Sequence, residues 1–506
     1  MVTNQGKHVI VVGAGPGGLT SAMLLASRGF KVTVFEKKDV VGGRNAAIEV
    51  DGYKFDTGPT FLMMKFVLDE IFKEAGRNVD DYLKFVRLDP MYRLIFNDRT
   101  VNMTDDRKKM AEEISRVFPG EENSLDRYYH EEDIRFNRTL PCLQKPYSRI
   151  TSMLNPDLIK ALPRLALHRK LYGILGDYFK TEKLRLSFTF QAKYLGMSPW
   201  QCPGAFALLS YVEHAYGVWH VMGGLSDISA AMAAVVREHG GQIHLNSPVK
   251  RIMREKGRAV GVEMENGEQV HCDEVVINSD FGHSMNSLFE PGVLRKYSPE
   301  KLANKKLSCS TFMMYLGTNR KWDSPHHAIV FANDYRASTE AIFTTRTLTD
   351  DISFYVRNAS ISDPSLAPAG KSALYVLVPV ANMNAGVDWA SETERYRRLV
   401  YKGMEERLGM KGIRESVEVE KIITPADWQE RYFVYKGATF NLAHNLMQML
   451  YFRPRNKFEE LDNCWLVGGG THPGSGLPTI YESGRISANM ISRNHNVGFK
   501  SFNLKV

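Results

Sequence analysis

The chain has 506 residues, 43% of them hydrophobic and 24% charged, the balance of a globular protein of two or three domains rather than a disordered one. A formal charge of +8 allows a nucleic acid or an anionic membrane surface as partner, but no zinc-finger spacing, RNP-type strand or helix-turn-helix signature supports nucleic acid. Five scattered cysteines without a CxxC pair argue against a disulfide framework or a zinc site and fit a reducing compartment.

The first residues run straight into a strand, with no visible secretory signal, and no apolar run reaches the roughly 18 residues of a membrane-spanning helix. His8 to Val12 (HVIVV) reads as a strand buried on both faces. GAGPGG follows, and Gly13, Gly15 and Gly18 match G-x-G-x-x-G. The first glycine allows the tight turn, the second admits a pyrophosphate to the backbone, and the third lets the next helix sit close to the strand. The free N–H groups and positive end of that helix then face the phosphates. Ala22 and Ala26 keep the helix slim, and Gly29 is placed to end it. A second strand, KVTVF, leads to Glu36, whose carboxylate can bind ribose hydroxyls and would repel a 2′-phosphate; Lys37 beside it joins the cofactor set. Strand, glycines, helix, strand and acid in this order predict dinucleotide binding. A merely structural glycine turn leaves Glu36 without a purpose.

Those glycines do not decide between NAD and FAD. The next stretch, VVGGRNAAIEVDGYKFDTGPTF, places Gly42-Gly43-Arg44 directly after the second strand. Arg44 there can reach back to a pyrophosphate as a forked donor; the alternative is a surface arginine after a turn. Here the sequence resembles the GG-R subgroup of flavoproteins, and Phe55-Asp56-Thr57-Gly58-Pro59-Thr60 matches the group's F-D-x-G-P-x continuation. The resemblance implies FAD, with Gly43, Arg44, Gly58, Pro59 and Thr60 in its site.

Residues 145–195 mix Leu, Ile, Met and Tyr with ten Lys and Arg. They read as basic amphipathic helices able to lie in a membrane interface, or as an ordinary solvated helix pair. Gly240 to Asp280 is β-rich, with a hairpin turn at Glu265-Asn266-Gly267. By the flavoprotein resemblance, the strand SPVKRI offers a main-chain contact to adenine at Val249; plain core is the alternative for that residue.

Near the C-terminus, NCWLVGGG reads as a short strand ending in glycines, and a helix is expected to begin near Pro478. In this flavoprotein group such a segment folds back onto FAD, so the resemblance adds Gly470, Thr471, Gly476, Leu477 and Pro478 to its site. The helix N-terminus would stabilise negative charge on a reduced flavin, and the glycines let a flat ring lie on the main chain. Gly470-Thr471-His472-Pro473-Gly474 stands where amine oxidases have Gly-Asp. It resembles bacterial carotenoid desaturases of the phytoene and diapophytoene type, as does ALYVLVPV, Ala373 to Val380. GVWHVMGGLSDI departs from that family's motif at His220-Val221-Met222.

The resemblance implies an FAD-dependent desaturase that passes a hydride from a C30 or C40 polyene precursor to flavin N5. The protein would sit on the cytoplasmic side of the membrane, peripherally bound, with a quinone or oxygen as electron acceptor. Glu213, His214, His220 and His472 are candidate proton acceptors, each with a structural role as the alternative. The alternatives in function are a carotenoid cis–trans isomerase, a terminal carotenoid oxygenase, or a membrane-bound flavoprotein without catalysis. The expected fold class is α/β. A discontinuous Rossmann-like FAD domain takes residues 1–75, 220–300 and 455–506. A mixed-sheet substrate domain takes 76–144, 196–219 and 301–454, and 145–195 form a helical, membrane-facing part.

Overall fold

Five short strands drawn from distant stretches of chain make one parallel sheet, in the order Cys464–Leu466, Glu274–Ile277, His8–Val12, Lys31–Phe35, Gln242–His244. The structure, a computed structural model, describes residues 6–501, so the outermost five residues at each end of the expected FAD domain lie outside the described residues. Val9, Val11, Val32 and Val34 are buried on the sheet, as the unbroken apolar runs require. The helix Pro16–Ser27 follows the glycine turn with proline in its first position, and Gly29 takes φ +84° beyond its end.

The C-terminal helix Leu477–Asn494 packs directly on Pro16–Ser27. Gly484 makes that approach possible: a Cβ there would lie 2.5 Å from the Gly17 carbonyl oxygen and 2.7 Å from Thr20 Cβ. Ser21 Oγ donates to the Gly484 carbonyl at 3.0 Å. Farther along, Arg485 pairs with Glu70 at 2.7 Å, tying the same helix to Lys65–Glu74.

A second, seven-stranded sheet runs Val417–Ile423, Ser310–Thr318, Ser372–Val380, Phe354–Asn358, His327–Val330, Tyr92–Ile95, Thr100–Met103. Its neighbours are antiparallel except His327–Val330 with Tyr92–Ile95. Its core includes Phe312, Met314, Leu374 and Val376, closed by Trp389, Tyr396 and Val400 of the helix Trp389–Leu408. The α/β class is thus observed, with one parallel and one mixed sheet.

Residues 145–195 differ from the expected amphipathic helices. Their α-helical pieces are Pro156–Ala161, Leu171–Leu175 and Glu182–Ser187, none longer than six residues. Pro156 and Pro163 lack the N–H an uninterrupted helix needs, and Gly173 and Gly176 weaken the run further. Several basic side chains are also engaged locally: Arg164 pairs with Glu131 at 2.6 Å and Arg169 with Asp177.

Candidate active site

The carboxyl ends of the parallel strands open into a cavity of about 390 Å³, reached from Val12, Phe35, Asn278 and Gly468. Chain order reverses on either side of His8–Val12, so the cavity sits at a switch point of the sheet, where open α/β sheets bind ligands. Gly13, Gly15, Glu36, Lys37, Gly43 and Arg44 line one part of it, with Pro59 and Val249; Gly470 and Leu477 line another. The structure therefore brings ten of the sixteen expected cofactor residues to one cavity wall or another.

The other six act behind those walls. A Cβ on Gly18 would lie 2.4 Å from the Gly13 carbonyl oxygen, and one on Gly58 2.6 Å from that of Arg44, so both are close-packing glycines. Thr471 is buried and its carbonyl accepts from Arg453. Gly476, at φ +107°, caps the C-terminal helix, with Pro478 in its first turn. Thr60 accepts from Tyr355, as described below.

Glu36 is buried and accepts the Ala14 N–H at 2.7 Å and the Lys38 N–H at 2.9 Å. A carboxylate has about four acceptor sites, so capacity remains for a ligand. Arg44 donates to the Thr439 carbonyl at 2.9 Å and stands 3.7 Å from Asp280. Two residues the sequence reading missed complete this end. Asn278 donates to the Gly13 carbonyl at 3.1 Å, and a Cβ on Gly15 would meet its Nδ2 at 2.8 Å. Asp280 caps the helix Phe281–Ser287 and accepts from Asn441 at 2.7 Å. Their signal was positional: both lie within three residues of the end of the parallel strand Glu274–Ile277.

The loop after Asp56 is held from the mixed sheet, residue by residue. Arg357 donates to Asp56 at 2.7 Å, Tyr315 to the Thr57 carbonyl at 2.6 Å, Tyr375 to the Gly58 carbonyl at 2.9 Å and Tyr355 to Thr60 Oγ1 at 2.8 Å. The sequence did not mark these four donors, which come from three different strands. Beyond Thr60, Phe61 packs edge-on against Tyr194 and His327, each at 5.4 Å between ring centroids. Tyr194 meets Phe190 at 5.7 Å, and Phe190 meets Tyr92 at 5.1 Å. An aromatic layer thus runs from the cavity wall to Glu213, which accepts from Tyr92 and Gln191, both at 2.8 Å.

The candidate proton acceptors fall into different surroundings. Glu213 is fully buried, its Oε1 has no hydrogen-bond partner among the described residues, and burial pushes its carboxyl up to about 7. His214 lies within 2.8 Å of the Thr104 carbonyl and stacks on Phe188; burial pulls it down to about 4. His220 is locked between Asp363 at 2.9 Å and Arg357 at 3.2 Å. His472 turns away from the cavity: its Nε2 lies 2.9 Å from the Lys145 carbonyl, its ring packs on Tyr147 at 4.9 Å, and burial pulls it down to about 3. None of the four lines the cavity itself, so the structure does not gather them into one catalytic set. Among the described residues there is no cluster of side chains able to hold a metal.

The profile of the family described as flavin containing amine oxidoreductase matches residues 16–492. A 4,4′-diapophytoene desaturase (4,4′-diapolycopene-forming) of Methylomonas sp is 55% identical over 98% of this chain and 97% of its own. A zeta-carotene-forming phytoene desaturase of Myxococcus xanthus is 38% identical over 96% of this chain and 93% of its own. A 4,4′-diapophytoene desaturase (4,4′-diaponeurosporene-forming) of Staphylococcus haemolyticus is 31% identical over 95% and 97%. Among solved structures, an oxidoreductase from Methanosarcina mazei aligns with TM-score 0.64 at 16% identity, over 96% of this chain and all of its own. Putrescine oxidase bound to putrescine aligns with 0.63 at 15% identity, over 97% and 99%. At such identities the structural likeness concerns the fold.

Proposed function

The chain belongs to the flavin-containing amine oxidoreductase family, it is an FAD-dependent carotenoid desaturase, and we propose that its precursor is the C30 polyene diapophytoene. The observation that carries this substrate is the 55% identity, across nearly the whole of both chains, to a desaturase of that compound. The relatives named above are all desaturases, and none favours isomerisation or oxygenation. The test is expression in bacterial hosts that accumulate either diapophytoene or phytoene. A new polyene pigment in the diapophytoene host is expected. Pigment only in the phytoene host would reassign the substrate to C40, and unchanged precursor in both, with FAD bound, would overturn desaturation.

The cavity fits FAD on its own features. Gly15 offers bare main chain where a Cβ would have to displace the Asn278 amide, and Glu36 keeps acceptor capacity at the ribose position. The Gly469 and Gly470 N–H groups have no partner among the described residues. The Leu477 and Thr479 N–H groups are free by helix geometry. Gly13, Gly15 and Arg44 would hold the pyrophosphate, Glu36 and Lys37 the ribose side, Val249 the adenine, and Pro59, Gly470 and Leu477 the ring. FAD supplies a hydride acceptor at N5.

What the chain adds is binding, dryness and a proton sink. A polyene has no polar handle, so its affinity comes from buried apolar area. The rings of Phe61, Tyr194 and Phe190 supply such area, and their π faces favour the positive charge that develops when hydride leaves. Glu213, which closes the aromatic layer behind the cavity, is the proton acceptor this reading assigns. The bond pair of one allylic C–H departs as hydride, a proton leaves the neighbouring carbon for the Glu213 carboxylate, and the remaining pair becomes the double bond. A quinone or oxygen would be the final electron acceptor in this reading.

Peripheral attachment to the cytoplasmic membrane face is part of the same reading. Ile150, Leu154, Ile159 and Leu162 are exposed, Leu154 by 70%. Leu450 and Tyr451 pack beside Met153 in a shared cluster, which brings exposed Met447 and Phe452 into the neighbourhood. Exposed Arg149, Lys160 and Lys170 accompany these apolar side chains, a combination suited to an anionic bilayer surface. No helix among the described residues is long and apolar enough to cross a membrane.

A further inference from the structure

Arg453 is fully buried, and all its hydrogen bonds go to backbone carbonyls. Nε donates to Thr471 at 3.1 Å, Nη1 to Gln448 at 3.1 Å, and Nη2 to Gly469 at 2.6 Å and Leu442 at 3.3 Å. Burial draws its pKa down to about 9, so it remains charged at neutral pH, and among the described residues no carboxylate pairs with it. Burying an uncompensated charge is costly. Holding a loop in place could be done by neutral donors, so the charge calls for a reason of its own.

The loop it holds is the cavity wall. Gly469 and Gly470 line the cavity, and in a planar trans peptide the N–H points opposite to the C=O. With the Gly469 carbonyl turned back onto Arg453, the Gly470 N–H is aimed away from the guanidinium, and it has no partner among the described residues. The two histidines flanking this loop carry no charge at neutral pH. Burial, and secondarily Arg453, holds His472 at about 3 and His444 well below its usual range. His444 Nε2 accepts the Ser475 N–H at 3.0 Å. Asp280, a carboxylate on the same cavity and the one nearest Arg44, is engaged by Asn441 and Arg44.

We propose that Arg453 is an electrostatic positioning residue for the flavin: a permanent cation one peptide behind the wall that polarises the Gly469–Gly470 peptide toward the ring and stabilises the negative charge gained on reduction. This rests on the FAD reading of the cavity. The test uses purified holoenzyme and reads the flavin midpoint potential against a reference dye, with flavin content measured alongside. Arg453→Met is expected to weaken the preference for reduced flavin at least tenfold, which is about 30 mV for a two-electron couple. Arg453→Lys keeps the charge and is expected to stay within threefold of the parent while unfolding at lower temperature. A flavin-loaded Met variant with an unshifted potential overturns the proposal. Where the Met variant does not fold, a Lys variant shifted as far as tenfold overturns it, as does parent enzyme whose flavin absorbance sulfite cannot bleach, since that anionic adduct needs the same stabilisation. Parent protein purified without flavin would instead sink the cavity reading itself.

Discussion

Glu213→Gln separates a proton acceptor from a structural carboxyl, because the two roles give slopes of opposite sign with pH. The Glu213 carboxyl is raised by burial from its ordinary 4.5 to about 7. A raised acid contributes stability that is fully present below the unfolded value near 4.5 and is lost as pH rises through about 7. That interval corresponds to about 3 kcal/mol. Unfolding free energy of the parent should therefore fall by this order between pH 4.5 and 8 through this group, and the Gln variant should lack that part of the decline. Gln preserves the shape, and its carbonyl can still accept from Tyr92 and Gln191. Activity runs the other way: only the ionised carboxylate takes a proton, so the parent rate should climb through about pH 7. The Gln variant should lose about 10²-fold or more. The assays are pH-resolved denaturation of the holoenzyme and desaturation in liposomes over the same range. A Gln variant that keeps parent activity and its pH profile would refute the assignment, whatever the stability slope.

Gly15→Val is expected to abolish flavin binding, because its Cβ alone would approach Asn278 Nδ2 to 2.8 Å; full flavin absorbance in the purified variant would remove the phosphate role from that turn. Tyr355→Phe removes the donor to Thr60 Oγ1 and should cost about 1 kcal/mol of stability. It should also slow desaturation more than it lowers flavin content, and an unchanged rate would show that Thr60 needs no such anchor. Leu154→Asp with Ile150→Asp should reduce co-sedimentation with anionic vesicles severalfold; unaltered sedimentation would return that surface to ordinary solvent exposure.

What could be read in the sequence was what is local. The glycine turn, Glu36 and the Gly42-Gly43-Arg44 turn sit within one βαβ stretch, and each residue's task follows from its neighbours in the chain. The C-terminal glycines were legible for the same reason: strand, loop and helix N-terminus are contiguous. The grip of Tyr315, Tyr355 and Tyr375 on residues 57–60 was not, because it joins positions about 250 or more residues apart, and a buried strand tyrosine looks like core. Arg453 was hidden likewise, since only tertiary packing turns a loop arginine into a buried cation. The overestimate at 145–195 came from reading charge and apolar residues as helical faces, where Pro156 and Pro163 break the run and Glu131 and Asp177 absorb two of the cations.

The crossing of the C-terminal helix over the first helix at Gly484 has a consequence for how the protein is made. The central strand and glycine turn are synthesised long before the strand Cys464–Leu466 and the helix that closes the cavity. Until then the first helix has an uncovered apolar flank, and the nascent chain cannot retain its cofactor. Flavin capture must therefore follow synthesis of this helix, and a stop codon between Cys464 and Gly484 should yield a long, colourless, aggregation-prone product rather than a slightly weakened enzyme.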